Sequence, residues 1–149
     1  MGVVNMAKTI KQIHPKDVIC FKVGNFYNVY GKDAYILAYL FSYTLKFIEN
    51  NIPMCGFPIQ KLTKAKAIFE NKKINYIMID TRNNYDIDEQ EDNKNLNKYE
   101  EIFEMAHKNI RGKVRIEKIA EELMKSIEKE DFKQKIEKVE KIVYEARKV

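Results

Sequence analysis

The sequence predicts an α+β, or α/β-like, domain: a small mixed β-sheet with two packing helices, followed by a C-terminal helical segment of two or three helices. Short apolar runs bounded by turn residues recur up to residue 80, which is typical of strands. Two stretches, 32–45 and 61–72, instead carry apolar residues at helical spacing, and such spacing returns later in the chain. The predicted organisation is a sheet domain over 1–80, an acidic polar linker over 81–97 and a helical hairpin or bundle over 98–149.

The first two strands flank a tight turn. Val18–Val23 and Phe26–Tyr30 are apolar runs separated by Gly24 and Asn25, a pair typical of a two-residue β-hairpin. A helix is predicted over Lys32–Leu45, because its apolar residues cover one broad face that can lie against a sheet. The domain therefore begins with an antiparallel pair of strands and the first packing helix.

The remaining elements of the sheet domain are short. Lys46–Ile48 predicts a strand of three residues, and Ile74–Ile79 predicts a buried strand. Pro53–Phe57 predicts extended chain or an edge strand, because the prolines of this segment cannot donate the hydrogen bonds of a central strand. Leu62–Asn71 has the apolar spacing of the second packing helix.

The segment 81–97 is a break in composition, dense in Asn and Asp. A calcium-binding loop starting at Asp86 would need Gly at its sixth position and Glu at its twelfth. These positions hold Glu91 and Asn97, so this kind of site is excluded. The acidic cluster is therefore predicted to be a solvated linker.

Three stretches with helical spacing follow, over 99–110, 116–127 and 132–146. Gly112 is expected to end the first helix as its C-terminal cap. Short connections between amphipathic helices are typical of an antiparallel bundle. The apolar stripes would form the core of this bundle or, alternatively, the seam of a homodimer or a surface for a protein partner.

The basic residues are unevenly distributed. The chain has a net charge of +5, and residues 1–80 hold 11 lysines, no arginine and 5 acidic residues. A basic excess in one segment is typical of nucleic-acid binding. Because guanine bases are recognised mostly by arginine, these lysines are expected to contact phosphates.

Several functional classes lack their motifs here. The sequence contains no apolar run of about 18 residues, so no membrane span is predicted. No signal peptide is predicted either. Cys20 and Cys55 do not make a disulfide framework and are expected to be buried free thiols in a cytoplasmic protein. His14 and His107 lack metal-ligand spacing. Since no phosphate loop, nucleophile elbow or nucleophile–base pair occurs, we expect no enzyme activity, no cofactor and no metal.

The second strand of the hairpin carries the candidate binding residues. Phe26 and Asn28 lie two residues apart and are expected on one face of the strand, with Tyr27 on the other. An aromatic ring with an amide beside it can stack on a base and hydrogen-bond its edge. Aromatic side chains in hairpins also commonly belong to the core, so this pattern alone leaves both interpretations open.

The order of short motifs around the hairpin is more specific. His14–Pro15 precedes it, Lys32-Asp33-Ala34 opens the following helix, and residues 52–58 read Ile-Pro-Met-Cys-Gly-Phe-Pro. This order resembles the N-terminal mismatch-recognition domain, domain I, of the MutS family of DNA mismatch-repair proteins, here as a stand-alone short protein. In that family a His-Pro leads into a strand, Gly-Asp-Phe-Tyr-Glu, an Asp-Ala helix and Ile-Pro-Met-x-Gly-x-Pro. The resemblance covers about residues 12–80.

The resemblance implies roles for individual residues. The family's phenylalanine, which wedges into the duplex and stacks on the mispaired base, falls on Phe26. Its glutamate, which hydrogen-bonds that base, falls on Asn28. The family's aspartate before the wedge is Asn25 here, and its histidine after the second motif is Gln60. The wedge is therefore kept, whereas the acidic partner is replaced by an amide.

The leading hypothesis is a non-enzymatic DNA-binding module for mismatched or deformable duplex DNA. Phe26 would be the wedge, Asn28 its polar neighbour, and Lys61, Lys64 and Lys66 phosphate contacts. MutS proteins couple recognition to an ATPase domain. Because no phosphate-binding loop occurs in this sequence, the resemblance implies the recognition domain without the ATPase domain. The alternative is a protein-interaction or structural module that keeps the fold but has lost mismatch recognition.

Overall fold

The structure is a computed structural model that describes residues 2–92 and 96–147, with side chains to residue 145. The chain divides into two compact units, Met1–Ile110 and Arg111–Val149. Parts of the predicted domain, linker and tail lie outside the described residues: Met1, 93–95 and 148–149.

Six strands form one mixed sheet. In chain order they are β1 (Val18–Val23), β2 (Phe26–Tyr30), β3 (Lys46–Ile48), β4 (Ile52–Pro58), β5 (Tyr76–Asp80) and β6 (Ile87–Glu91). The helices are α1 (Val3–Ile13), α2 (Lys32–Phe41), α3 (Leu62–Asn71), α4 (Tyr99–Lys125) and α5 (Phe132–Arg147). The strand order is β3-β4-β2-β1-β5-β6; β1 and β5 are parallel, and the other neighbours are antiparallel. The predicted α+β class and mixed sheet are confirmed.

Helices cover both faces of this sheet. α1 packs on one face, where Val3, Ala7 and Ile10 meet Phe21 and Ile77. α2, α3 and the start of α4 pack on the other face, over a larger core that is rich in aromatic rings. α1 was not predicted. Its apolar residues do have helical spacing, but no side chain caps its first turn to mark a helix start.

The hairpin and its surroundings have largely the predicted bounds. β1, β2, β3 and α3 begin and end where the sequence predicts. α2 is shorter than predicted and ends at Phe41, because Ser42 takes a left-handed conformation with a φ of 56° and its N–H donates to the Ala38 carbonyl. The chain is thereby released from the helix before it reaches β3.

β4 corrects the prediction of an edge strand, because it lies between β3 and β2. Its prolines, Pro53 and Pro58, occupy its second and last positions, so the residues between them keep their N–H groups. Pro53 still supplies an acceptor, since the Gly31 N–H donates to its carbonyl at 2.9 Å. A central strand therefore tolerates both prolines.

Two further corrections concern the chain after β5. Ile87–Glu91, expected within a polar linker, forms the edge strand β6, because pairing with β5 satisfies its backbone while its charged side chains face solvent. Gly112 does not end a helix, since α4 continues through it to Lys125. One glycine costs about 1 kcal/mol relative to alanine inside a helix, which the helix-forming residues around it outweigh.

A buried carboxylate joins four elements of the first unit. Asp33, in the first turn of α2, is almost completely buried. It accepts hydrogen bonds from the Lys11 ammonium of α1 at 2.5 Å and from the Tyr99 hydroxyl of α4 at 2.7 Å. The Ile19 N–H of β1 donates to its second oxygen at 3.1 Å. This network fixes α1, α2 and α4 to the strand that leads into the hairpin.

The second unit contains the rest of α4 together with α5. Several of its large apolar side chains are exposed, among them Ile116, Met124 and Ile142. No helix among the described residues is both long and apolar enough to cross a membrane.

Candidate nucleic-acid interface

The tip of the β1–β2 hairpin presents Phe26 to solvent. Gly24 has a φ of +61° and is the first of two turn residues, as in a type II′ turn. Val23 therefore pairs directly with Phe26, which opens β2. Burial along β2 alternates, so that Tyr27 is buried on one face whereas Phe26 is 50% exposed on the other. The ring of Phe26 is thus available for contact with a partner.

Asn28 follows Phe26 on the same face and lies against a glycine. The register of β2 and β4 places Asn28 opposite Gly56. A Cβ atom on Gly56 would lie 2.6 Å from the Asn28 Oδ1 atom and 3.0 Å from the Tyr27 carbonyl oxygen. Any side chain at position 56 would therefore displace the Asn28 amide. The two motifs of the sequence, far apart along the chain, meet at this contact.

Tyr30 is the third residue on this face of β2. Burial raises the pKa of Tyr30, and a hydrogen bond with the Asn28 side chain partly opposes that rise. The phenol is therefore protonated at neutral pH, and its hydroxyl helps to orient the Asn28 amide. Gly56 on one side and Tyr30 on the other leave Asn28 half-buried.

Phe26 and Asn28 border a cavity of about 470 Å³, which we call the hairpin cavity. Its lining combines apolar and polar side chains, including Phe26, Asn28, Ser42, Thr44, Lys46 and Met54. Lys46 was not among the predicted site residues. Lys46 pairs with Met54, and Met54 pairs with Tyr30, so Lys46 shares the face of Phe26 and Asn28. Lys46 could be identified only from the registers of β2, β4 and β3, which the sequence alone does not give.

The predicted phosphate-binding lysines separate into two kinds. Lys61 and Lys64 line a second cavity of about 260 Å³, which shares Ser42 and Tyr43 with the hairpin cavity. Lys66 instead forms an ion pair with Glu89 of β6. Two of the three lysines are therefore exposed beside the hairpin cavity, whereas the third already has an acidic partner.

The hairpin tip is tied to the segment that carries these lysines. The Ile59 N–H donates to the Asn25 carbonyl at 3.0 Å, directly after β4. Ile59–Lys61 forms a single 3₁₀ turn that leads into α3. The turn of the hairpin and the start of α3 are therefore neighbours, and Asn25 and Gln60 are both exposed there.

The two cysteines are buried free thiols, as predicted. Burial raises the pKa of Cys55 to about 11, and it also raises the pKa of Cys20. Since the thiolate is the reactive form of cysteine, both groups are poor nucleophiles at neutral pH. The polar groups around Phe26 are thus an amide, hydroxyls and ammonium groups, which suit hydrogen bonding and phosphate contact.

Comparison with protein families gives one further finding. The family described as MutS domain I matches residues 2–107. The matched segment begins before α1 and extends into α4. It contains the whole sheet, the Asp33 network and the hairpin cavity, and it extends beyond the segment 12–80 over which the sequence motifs predicted the resemblance.

Proposed function

The chain belongs to the MutS domain I family, and from this premise we propose that it is a non-enzymatic DNA-binding domain for mismatched or easily deformed duplex DNA. One observation carries the proposal: Phe26, at the position of the family's wedge, is half exposed on the hairpin tip and is not part of the core. Insertion of the Phe26 ring between bases would remove its apolar surface from water, which is favourable.

Recognition would depend on the cost of deforming the duplex. Inserting Phe26 between base pairs unstacks one step, which costs a few kcal/mol and costs least at a mispair. The Asn28 amide both donates and accepts hydrogen bonds, so it can contact the edge of the unstacked base. Unlike the glutamate that the resemblance places here, it adds no negative charge beside the phosphates.

Phosphate contacts would come from the lysines around the wedge. Lys61 and Lys64 are exposed beside the hairpin cavity, and Lys46 is an exposed residue of its lining. Residues 1–80 carry 11 lysines against 5 acidic residues. Such contacts fix position on the backbone without selecting a sequence.

Replacing Phe26 with Ala is expected to remove the preference for a mispaired duplex while non-specific binding remains. The loss is about 1–3 kcal/mol of stacking at the mispair. Anisotropy titrations of labelled duplexes, one matched and one with a single mispair, at two salt concentrations measure the change. Phe47→Ala is the matched control, because Phe47 is also exposed but belongs to β3. Failure of the folded wild-type protein to bind either duplex at low salt would favour the protein-interaction or structural module instead.

Replacing Lys61 and Lys64 together with Ala is expected to weaken matched and mispaired duplexes equally. For each lysine that binds a phosphate, its removal should reduce the slope of log K against log salt by about 0.9. Lys66→Ala should have a smaller effect, because Lys66 is already paired with Glu89. The same titrations compare the variants. A larger loss with Lys66→Ala than with Lys64→Ala would contradict this assignment of the phosphate-binding residues.

A further inference from the structure

We propose that the second unit of the chain, Arg111–Val149, pairs with the same unit of a second copy, so that two pairs of helices form a four-helix bundle. Each pair consists of the end of α4 and the whole of α5. The interface is made by apolar side chains that these helices leave exposed. This inference is independent of the proposed DNA binding and adds a partner, which is a second copy of this chain.

The second unit has almost no core of its own. Within its described side chains, residues 111–145, Ser126 alone is buried. Leu123 of α4 and Phe132 and Ile136 of α5 lie on the apolar stripes of the two helices, yet they are only half-buried. Two helices in contact cover only part of each other's apolar stripes, so a further layer of helices is needed to bury them.

The small size of this unit makes association with another chain important for its stability. Below about 40 residues, a disulfide, a bound metal or association usually compensates for an insufficient core. The segment 111–149 contains neither cysteine nor histidine. It therefore cannot form a disulfide within itself, and it lacks the usual ligands of a structural zinc ion. Association is the remaining source of stability among these three.

The exposed apolar surface is large enough for a stable dimer. Six large side chains of this unit are 45–67% exposed in the described chain: Ile116, Ile119, Met124, Ile127, Ile142 and Val143. At roughly 100 Å² each, they and their half-buried neighbours approach the ~800 Å² that each partner contributes to an interface of standard size. Ile116 and Ile119 share the stripe of Leu123, so this surface continues the incomplete core of the unit.

The charges of the unit favour a second copy as the occupant of this surface. Residues 111–149 hold 12 basic and 9 acidic residues, and both signs occur along both helices. A surface of mixed sign can meet itself without strong net repulsion. A nucleic acid or a strongly charged protein would instead require an excess of one sign.

A groove on the same unit supplies the complementary shape. Its volume is about 430 Å³, and it is lined by residues from the end of α4, the following turn and the start of α5, including Ile119, Leu123 and Lys135. In a two-fold dimer each copy supplies both a groove and protruding apolar side chains, so the surface has only to be complementary to itself.

Sedimentation equilibrium of the full chain, at concentrations of about 1–100 µM, measures the association. Ile142→Glu places a charge in the proposed interface on α5. Gln134→Glu is its matched control, because it also replaces a neutral residue with an acidic one at an exposed position of α5, away from the apolar stripe. Ile116→Glu tests α4 independently. Both isoleucines are exposed in the single chain, so the first unit should remain folded, which circular dichroism and urea unfolding confirm.

We expect twice the mass of the 17.7 kDa chain for the wild-type protein and for Gln134→Glu. Ile142→Glu and Ile116→Glu should each raise the dissociation constant of the dimer at least about tenfold. A wild-type chain that stays monomeric at every concentration would overturn the proposal and leave this surface to a different partner. A dimer that persists unchanged in both isoleucine variants, or that Gln134→Glu weakens equally, would also overturn it. None of these results depends on DNA, so each leaves the proposed function to its own test.

Discussion

Replacing Asp33 with Ala is expected to lower the free energy of unfolding by about 3–5 kcal/mol, because removing one member of a buried charged network leaves the other members unsatisfied. Asp33 accepts hydrogen bonds from Lys11, Ile19 and Tyr99, which belong to three other elements of the fold. Without the carboxylate, the buried Ile19 N–H and the Tyr99 hydroxyl lose their acceptor. The substitution would also weaken the attachment of β1, the first strand of the hairpin, to α1, α2 and α4.

Urea unfolding followed by circular dichroism measures this change. Asp17→Ala is the matched control, since the Asp17 carboxylate pairs with His14 at 3.3 Å and is partly exposed. The control should lose no more than about 1 kcal/mol, as is usual for exposed ion pairs. Its backbone carbonyl, which accepts a hydrogen bond from Lys11, is unaffected by the substitution. Equal losses in the two variants would show that the Asp33 network does not hold the elements together.

The sequence predicts the hairpin and two of the three helices of the sheet domain, α2 and α3, because their signals are local. Gly24 and Asn25 form the expected turn, and alternation alone puts Phe26 and Asn28 on one face of β2. The motif order also predicts the family, which the match over residues 2–107 confirms. The turn and the alternation lie within a few residues of the hairpin, and each family motif is itself short.

The features that the sequence did not provide depend on distant contacts. Lys46 joins Phe26 and Asn28 only through the pairing of β2, β4 and β3. β6 is a polar segment that becomes a strand because the edge of β5 is open to it. The prolines of β4 suggest an edge, yet their positions at the ends of the strand allow neighbours on both sides. Local composition carries none of this information.

Replacing Phe57 with Ala is expected to lower the free energy of unfolding by about 3–5 kcal/mol, because apolar burial is reduced and a cavity is left behind. The Phe57 side chain is fully buried beneath the hairpin. Its ring stacks on Tyr27 at a centroid distance of 5.4 Å and lies 5.8 Å from the ring of Phe41. Phe57 therefore joins β4 to β2 and to α2 on the face opposite the hairpin cavity.

Phe26→Ala is the matched control for this substitution, because Phe26 lies on the neighbouring strand but is half exposed. It should change the free energy of unfolding by less than about 1 kcal/mol, as expected for a surface residue. Urea unfolding of both variants makes the comparison directly. A loss for Phe26→Ala as large as that for Phe57→Ala would mean that Phe26 serves the fold, and its use as a wedge would then lose its main support. A small loss would show that the fold does not depend on the exposed Phe26 ring, so that the ring is free to contact DNA as the wedge proposal requires.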